Sequence, residues 1–249
     1  EEFWLDQFAG EIPVLQLPTD YPRPALQAFD GNTVYFNLDD DHAAALRKLA
    51  RDENATLYII LVAVYNVFLA RLSGQDDIVI GTPIAGRRQV ELEQVIGMSV
   101  NTLALRNYPS SEKTFREFLR EVRNRTLKVF ENQDYLFDDL VEKLAVNRDA
   151  SRNPLFDAVF ATPKLDDVPG ESMALQMKPY PIVHRISKFD FTLTATEIGS
   201  GLRFSVEYCT RLFKEETVHR FSHCFTRIIA SLLEDPDQAL GQLNMTPEE

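Results

Sequence analysis

The sequence predicts an α/β layer fold, a mixed β-sheet flanked by helices. Three observations predict it. Short strand-like runs interleave with longer helical runs along the chain. One helical run, near residues 57–72, is apolar nearly all round and therefore belongs inside a layer. No segment repeats another. The 249 residues, 45% hydrophobic and 26% charged, suffice for one large domain or two small ones with a core.

Taken in order, Pro13, Pro18, Pro22 and Pro24 make the opening segment a surface-hugging connector, because proline lacks a backbone donor and fixes its own φ. Thr33–Leu38 alternates as a strand. Asp39, Asp40 and Asp41 offer capping carboxylates for a helix through about Asp52. Thr56 caps the apolar helix Leu57–Leu72, which Gly74 ends. Asp77–Pro83 reads as a short buried strand. A loop with Gly81, Pro83, Gly86, Arg87 and Arg88 then leads to a second strand near Val100–Asn107. In Thr114–Glu131, the residues Phe115, Phe118, Leu119, Val122, Thr126 and Val129 share one helical face. A short helix at Asp138–Leu144 precedes the strand Leu155–Ala161. Further strands are expected near Ala174–Ile182, Phe189–Ile198 and Leu202–Tyr208, then a helix from about Glu215 to Leu233. The tail Asp235–Glu249 is polar and reads as a linker.

Composition excludes several classes. The net charge of -12 lacks the basic footprint that nucleic-acid binding needs. The longest apolar run, Tyr58–Leu69, is shorter than the ~20 residues that span a bilayer, and no basic-then-apolar leader opens the chain. A cytoplasmic protein is expected. Cys209 and Cys224 cannot make a disulfide framework or a four-cysteine zinc site and read as reduced thiols. His219 and His223, four apart beside Cys224, lack a third ligand and a glutamate between them, so no metal is expected. None of the four histidines (His42, His184, His219, His223) lies in a recognisable catalytic context, and nucleophile-elbow, phosphate-loop and dinucleotide-binding motifs are absent. No catalytic residue is assigned. Glu1-Glu2-Phe3-Trp4 has no start methionine, so a fragment is expected.

Three segments carry a resemblance. They are Ile96-Gly97-Met98-Ser99-Val100-Asn101-Thr102-Leu103-Ala104-Leu105-Arg106, Asn132-Gln133-Asp134-Tyr135-Leu136-Phe137-Asp138 and Arg148-Asp149-Ala150-Ser151-Arg152-Asn153-Pro154-Leu155. In order and spacing, they resemble the last three core motifs of condensation domains of nonribosomal peptide synthetases. Ser73–Pro83 and Ser187–Leu193 resemble the same family, and Thr246-Pro247-Glu248-Glu249 looks like the run into an adenylation domain. Two positions depart from the pattern: the family usually has an aromatic at Ser99 and a proline at Leu136. The family's His-His-x-x-x-Asp-Gly string is absent, so by resemblance Glu1 lies just past the N-terminal lobe that carries it.

The resemblance implies a chloramphenicol acetyltransferase-like fold in which residues 1–234 form the C-terminal lobe, 1–32 being the connector. Residues 235–249 would lead to an adenylation domain. It implies amide formation between two carrier-bound acyl groups in a channel between lobes. The expected partners are the N-terminal lobe, peptidyl carrier domains and the adenylation domain. No cofactor is bound directly; 4'-phosphopantetheine arrives on the carriers. Such an arm offers amides, so neutral side chains suit the channel: Gly97, Asn101, Thr102, Gln133 and Asp134 are its expected lining. The competing reading is a polar strand start and a helix C-cap. Arg148, Asp149, Ser151, Arg152 and Asn153 form a charged turn expected to shape the site through Arg–Asp pairing. Gly81–Arg88 and Ser187–Leu193 are expected to cross to the other lobe. Arg116, Arg120 and Arg123, spaced along one helix face, either receive an acidic carrier or are balanced by Glu117 and Glu121. In the first case charge reversal at Arg120 and Arg123 weakens docking in a salt-dependent way. The rival readings are a non-catalytic recruitment domain of the same fold, an epimerisation domain, and a free-standing acyltransferase.

Overall fold

The computed structural model describes residues 1–87, 91, 95–144, 149–163 and 185–245. Among the described residues, six strands form one sheet in the order β1-β6-β5-β4-β2-β3: β1 Gly31–Leu38, β2 Ile78–Ile84, β3 Asn101–Asn107, β4 Ala158–Ala161, β5 Phe191–Ile198 and β6 Gly201–Cys209. β4 runs parallel to β2 and β5; every other pair is antiparallel. The sheet is mixed, as predicted.

The helices follow their sequence signals. In α2 (Asp40–Asp52) the Asp39 carboxylate caps the His42 N–H at 2.8 Å, and in α3 (Leu57–Ser73) the Thr56 hydroxyl caps Ile59 N at 3.2 Å. Gly74 ends α3 with φ 70°, a left-handed turn that favours glycine. α4 (Phe115–Glu131) opens with a reciprocal capping box between Thr114 and Glu117. α6 (Glu215–Glu234) follows β6. α3 is buried along Ile59–Ala70 and touches α2, α4, α6 and β2, so its all-round apolarity reflects packing inside the helical layer. Among the described residues, no single helix is long and apolar enough to cross a membrane.

Several boundaries differ from expectation. The connector begins with a helix, α1 (Glu2–Gln7), because Trp4 and Phe8, four apart, both go into the core. Arg106 on β3 holds the following segment: it donates to Glu11 O at 2.7 Å and pairs with Asp77 at 2.7 Å. β4 starts three residues later than predicted, since Leu155–Asp157 belong to the preceding turn, and β5 begins at Phe191. The expected strand Ala174–Ile182 lies outside the described residues. Residues 235–245, expected to be a linker, lie against the domain. Leu240 and Leu243 are each 1% exposed, Leu240 N donates to Lys113 O at 2.8 Å, and Arg71 donates to Gly241 O at 2.6 Å. Thr246–Glu249 falls outside the described residues.

Candidate functional site

Among the described residues, the long helices α2, α3, α4 and α6 pack on one another and on one side of the sheet; strand alternation separates the two sides. On β1, β6 and β5 the inward residues, among them Val34, Phe204 and Leu193, are buried. Their neighbours Thr33, Tyr35, Asn37, Arg203, Ser205, Glu207, Thr192, Thr194 and Thr196 face the other way. On that second side, the segments singled out in the sequence come together.

Gly81 is the pivot. A Cβ there would lie 2.2 Å from the Phe156 ring, so only glycine lets the ring lie on β2. Phe156 in turn packs against Phe137, at the start of α5 (Phe137–Lys143), and against Phe189, with ring centroids 5.3 and 5.8 Å apart. Three of the segments thus meet around one aromatic row laid over a fourth.

Asn101 ties the one remaining segment, its own, to the Asn132–Asp138 segment. Its side-chain amide donates to Gln133 O (3.1 Å) and Tyr135 O (3.0 Å), while its Oδ1 accepts from Thr102 N (2.9 Å) and Phe137 N (3.4 Å). The first strand residue therefore holds the turn between α4 and α5. This is the structural alternative for Asn101, realised through groups on another segment rather than its own backbone alone. Thr102, half-buried, pairs with Pro83 across the β2–β3 ladder. Gln133 closes its own helix end by donating to Phe130 O (2.8 Å), and Asp134 is exposed.

The loop before β3 is tied at its neck. Gly86 (φ 63°) faces Ser99, whose hydroxyl donates to Ala85 O (2.8 Å) and accepts from Arg87 Nε (2.9 Å); Arg87 also donates to Gly97 O (3.2 Å). Beyond that neck the apolar side chains point out: Val95, Ile96, Met98 and Val100 are 52–101% exposed, and Leu136 is 57% exposed. Arg88 lies outside the described residues.

The charged turn forms a buried network. Arg152 pairs with Asp157, and Arg23, from the opening segment, pairs with Asp190 and donates to Ser151 O (3.2 Å). Asp190 N donates to Asp157 O (3.0 Å), and Asn153 Nδ2 donates to Lys188 O (3.3 Å). Burial, with Asp190 next to it, pushes the Asp157 carboxyl up to about 6. Asp149 is held below the usual carboxylate range by the hydroxyl and N–H of Ser151. The Arg–Asp pairing was expected, but the partners Arg23, Asp157 and Asp190 were not singled out; the Asn153-Pro154 turn ahead of an acid in an apolar strand was the available signal. Arg148 lies outside the described residues.

Arg116, Arg120 and Arg123 do not form a free cationic face. Arg116 pairs with Glu53 and Asp237, Arg120 lies 3.5 Å from Glu53, and Arg123 donates to Glu53 O at 2.9 Å. Glu53 is 8% exposed. The expected balancing groups are engaged elsewhere: Glu117 caps its helix and Glu121 pairs with Lys113 at 2.8 Å. Arg120 alone of the three keeps more than half of its side chain exposed, 59%. Among the described residues, no three His, Cys, Asp or Glu side chains gather as a metal site.

Comparison with known proteins places this arrangement. The profile described as "Condensation domain" matches residues 1–249. The chain is 47% identical to bacitracin synthase 3 of Bacillus licheniformis and 47% identical to surfactin synthase subunit 1 of Bacillus subtilis (strain 168). In each case the whole chain is matched, and it spans 4% and 7% of those proteins. Among solved structures it superposes on a four-domain nonribosomal peptide synthetase bound to AMP and glycine. There the TM-score is 0.92 at 25% identity, over 99% of this chain and 20% of that one. It shares its fold with the X-domain from teicoplanin biosynthesis, with a TM-score of 0.90 at 24% identity over 98% of this chain and 56% of that one. The mixed sheet with its helices on one side is thus a chloramphenicol acetyltransferase-like lobe, and the chain belongs to the condensation-domain family of nonribosomal peptide synthetases.

Proposed function

We propose that these residues are the C-terminal half of a peptide-bond-forming condensation domain and build one wall of a channel between two lobes. In that channel the α-amine of one carrier-bound aminoacyl group attacks the thioester of another. The bond formed is C–N, the bond broken is C–S, and the amine proton ends on the departing thiol. An α-amine has a pKa of about 7.7–8.0, so part of it is already unprotonated near neutrality. The main demand is then to hold two activated ends together, which is worth up to about 7–11 kcal/mol in ideal intramolecular systems. A wall does that without owning a base.

The single observation that carries this reading is the exposed apolar run Val95, Ile96, Met98 and Val100, with Leu136, beside the place where the family segments meet. Side chains of this kind call for a covering surface, and the opposite lobe supplies one. Gly97, Thr102, Gln133 and Asp134 are then the channel-side groups, Asn101 and the Asp149–Asn153 turn hold them, and the arms are 4'-phosphopantetheines on carrier domains. The downstream partner is an adenylation domain and the compartment the cytoplasm.

The test is reconstitution. The chain joined to the preceding lobe of its own synthetase, mixed with loaded donor and acceptor carriers, is expected to yield a carrier-bound dipeptide by mass spectrometry; the chain alone is expected to yield none. Turnover by the chain alone would overturn the site assignment. A complete domain that binds partners without forming amide would favour a recruitment role.

A further inference from the structure

Two Phe-Asp pairs stand directly ahead of two neighbouring parallel strands: Phe156 and Asp157 ahead of β4, Phe189 and Asp190 ahead of β5. The ladder opens with Ala158 opposite Phe191, so it sets the two pairs side by side. The rings meet at 5.8 Å between centroids, and Asp190 N donates to Asp157 O at 3.0 Å. Phe156 lies on Gly81 and is buried, while Phe137 and Phe189, which pack against it, are partly buried. Two rings of the aromatic row thus each carry a carboxylate on the next residue.

Buried carboxylates placed this close lose hydration and repel each other, so each needs a cation. The cations come from two other parts of the chain. Arg152 in the turn pairs with Asp157 and donates to Leu15 O at 3.1 Å. Arg23 in the opening segment pairs with Asp190 and donates to Ser151 O at 3.2 Å. Each guanidinium therefore grips an acid next to a ring and the backbone of another segment. A staple between segments explains one acid somewhere in the turn; it does not explain an acid joined to each ring, in register. Among the described residues, the other titratable groups around this set are Asp149, Cys209 and Lys188. Asp149 is turned to Ser151, burial pushes the Cys209 thiol up so that it stays neutral, and Lys188 is exposed.

We propose that Asp157 and Asp190 are positioning residues of the channel wall: through Arg152 and Arg23 they seat the rings of Phe156 and Phe189 on β2, and the charge on Asp157 locks that seat. This rests on the function proposed above. With both acids ionised, the set holds two positive and two negative charges. A proton on Asp157 leaves Arg152 with a neutral partner and lets the turn, and Phe156 with it, shift. Burial and the neighbouring Asp190 push the Asp157 carboxyl up to about 6, so the lock is set near neutrality and released in mild acid.

Ring position and turnover are read separately. The complete two-lobed domain is labelled with a fluorinated phenylalanine, and the fluorine signals of Phe156 and Phe189 are identified by their loss in Phe156→Leu and Phe189→Leu. In the wild type both signals are expected to move together with a midpoint at about pH 6, and in Asp157→Asn to stay at their acidic positions. With loaded carriers, Asp157→Asn is expected to lower kcat/KM about tenfold near neutrality. The ratio of wild type to variant should fall toward one as pH drops through about 6; the ionisation of the attacking amine cancels in that ratio. Ring signals that stay flat in the wild type would overturn the lock, and a ratio that does not change with pH would overturn the positioning role. A wild type whose rings titrate but which forms no amide would instead count against the proposed function and leave the seat of the rings standing.

Discussion

Two groups of arginines with similar sequence texture end in different electrostatic situations. Around Glu53, two guanidiniums from one helix face, Arg116 and Arg120, meet one buried carboxylate, Arg123 donates to the Glu53 peptide oxygen, Arg116 also pairs with the exposed Asp237, and Arg120 stays mostly in solvent. In the turn before β4, two guanidiniums meet two carboxylates, and all four side chains are at most 19% exposed. The first group is a latch that ties α2, α4 and the C-terminal segment. The second is a matched buried set that holds the opening segment, the turn and the residues before β5 in one geometry. Burial, not the number of arginines, separates them: exposed pairs are worth little and buried ones cost much when broken.

The contrast can be broken from either side. The largest effect is expected for Asp157→Ala, which leaves Arg152 buried without its partner and should cost about 3–5 kcal/mol in urea unfolding at pH 7. The same group gives a pH signature. Its folded pKa is raised, so the part of its stability contribution that depends on protonation is full below about 3.8 and is lost as pH rises through about 6, while the pairing with Arg152 remains. Relative to Asp157→Asn, the wild type should lose on the order of 2–3 kcal/mol between pH 4 and pH 7; a flat difference would remove the claim. Next comes Glu53→Gln, expected to cost about 1–3 kcal/mol and to speed amide exchange at Leu240 and Gly241, because the latch to the C-terminal segment loosens. Smallest is Arg120→Glu, expected to move Tm by no more than about 2 °C. A drop as large as that of Glu53→Gln would show that all three arginines belong to the latch.

Local signals carried most of the fold. Asp39, Thr56, Thr114 and Gly74 end helices where their chemistry says they should, and the alternation along Thr33–Leu38 marked β1. Pairings across long stretches of chain were not legible. Arg23 and Asp190 are 167 residues apart, and Arg116 and Glu53 are 63 apart; no periodicity connects them. The short α1 escaped because the prolines after it dominated the reading, although Trp4 and Phe8 had helical spacing. Within the candidate site, residue types singled out segments that the fold brings together, but not the contacts that join them. Asn101 was read either as channel lining or as a polar strand start, and its amide donates to two backbone carbonyls on another segment.

That arrangement at Asn101 constrains one end of the contact only. The groups it grips at 133 and 135 are peptide oxygens, which every residue carries, whereas the gripping group must offer two N–H bonds and an oxygen from one short side chain. Chimeras that exchange the α4–α5 turn between synthetases should tolerate wide changes of side chain at those two sites. An aspartate at 101 would instead set negative oxygen against carbonyl oxygen and unseat the graft.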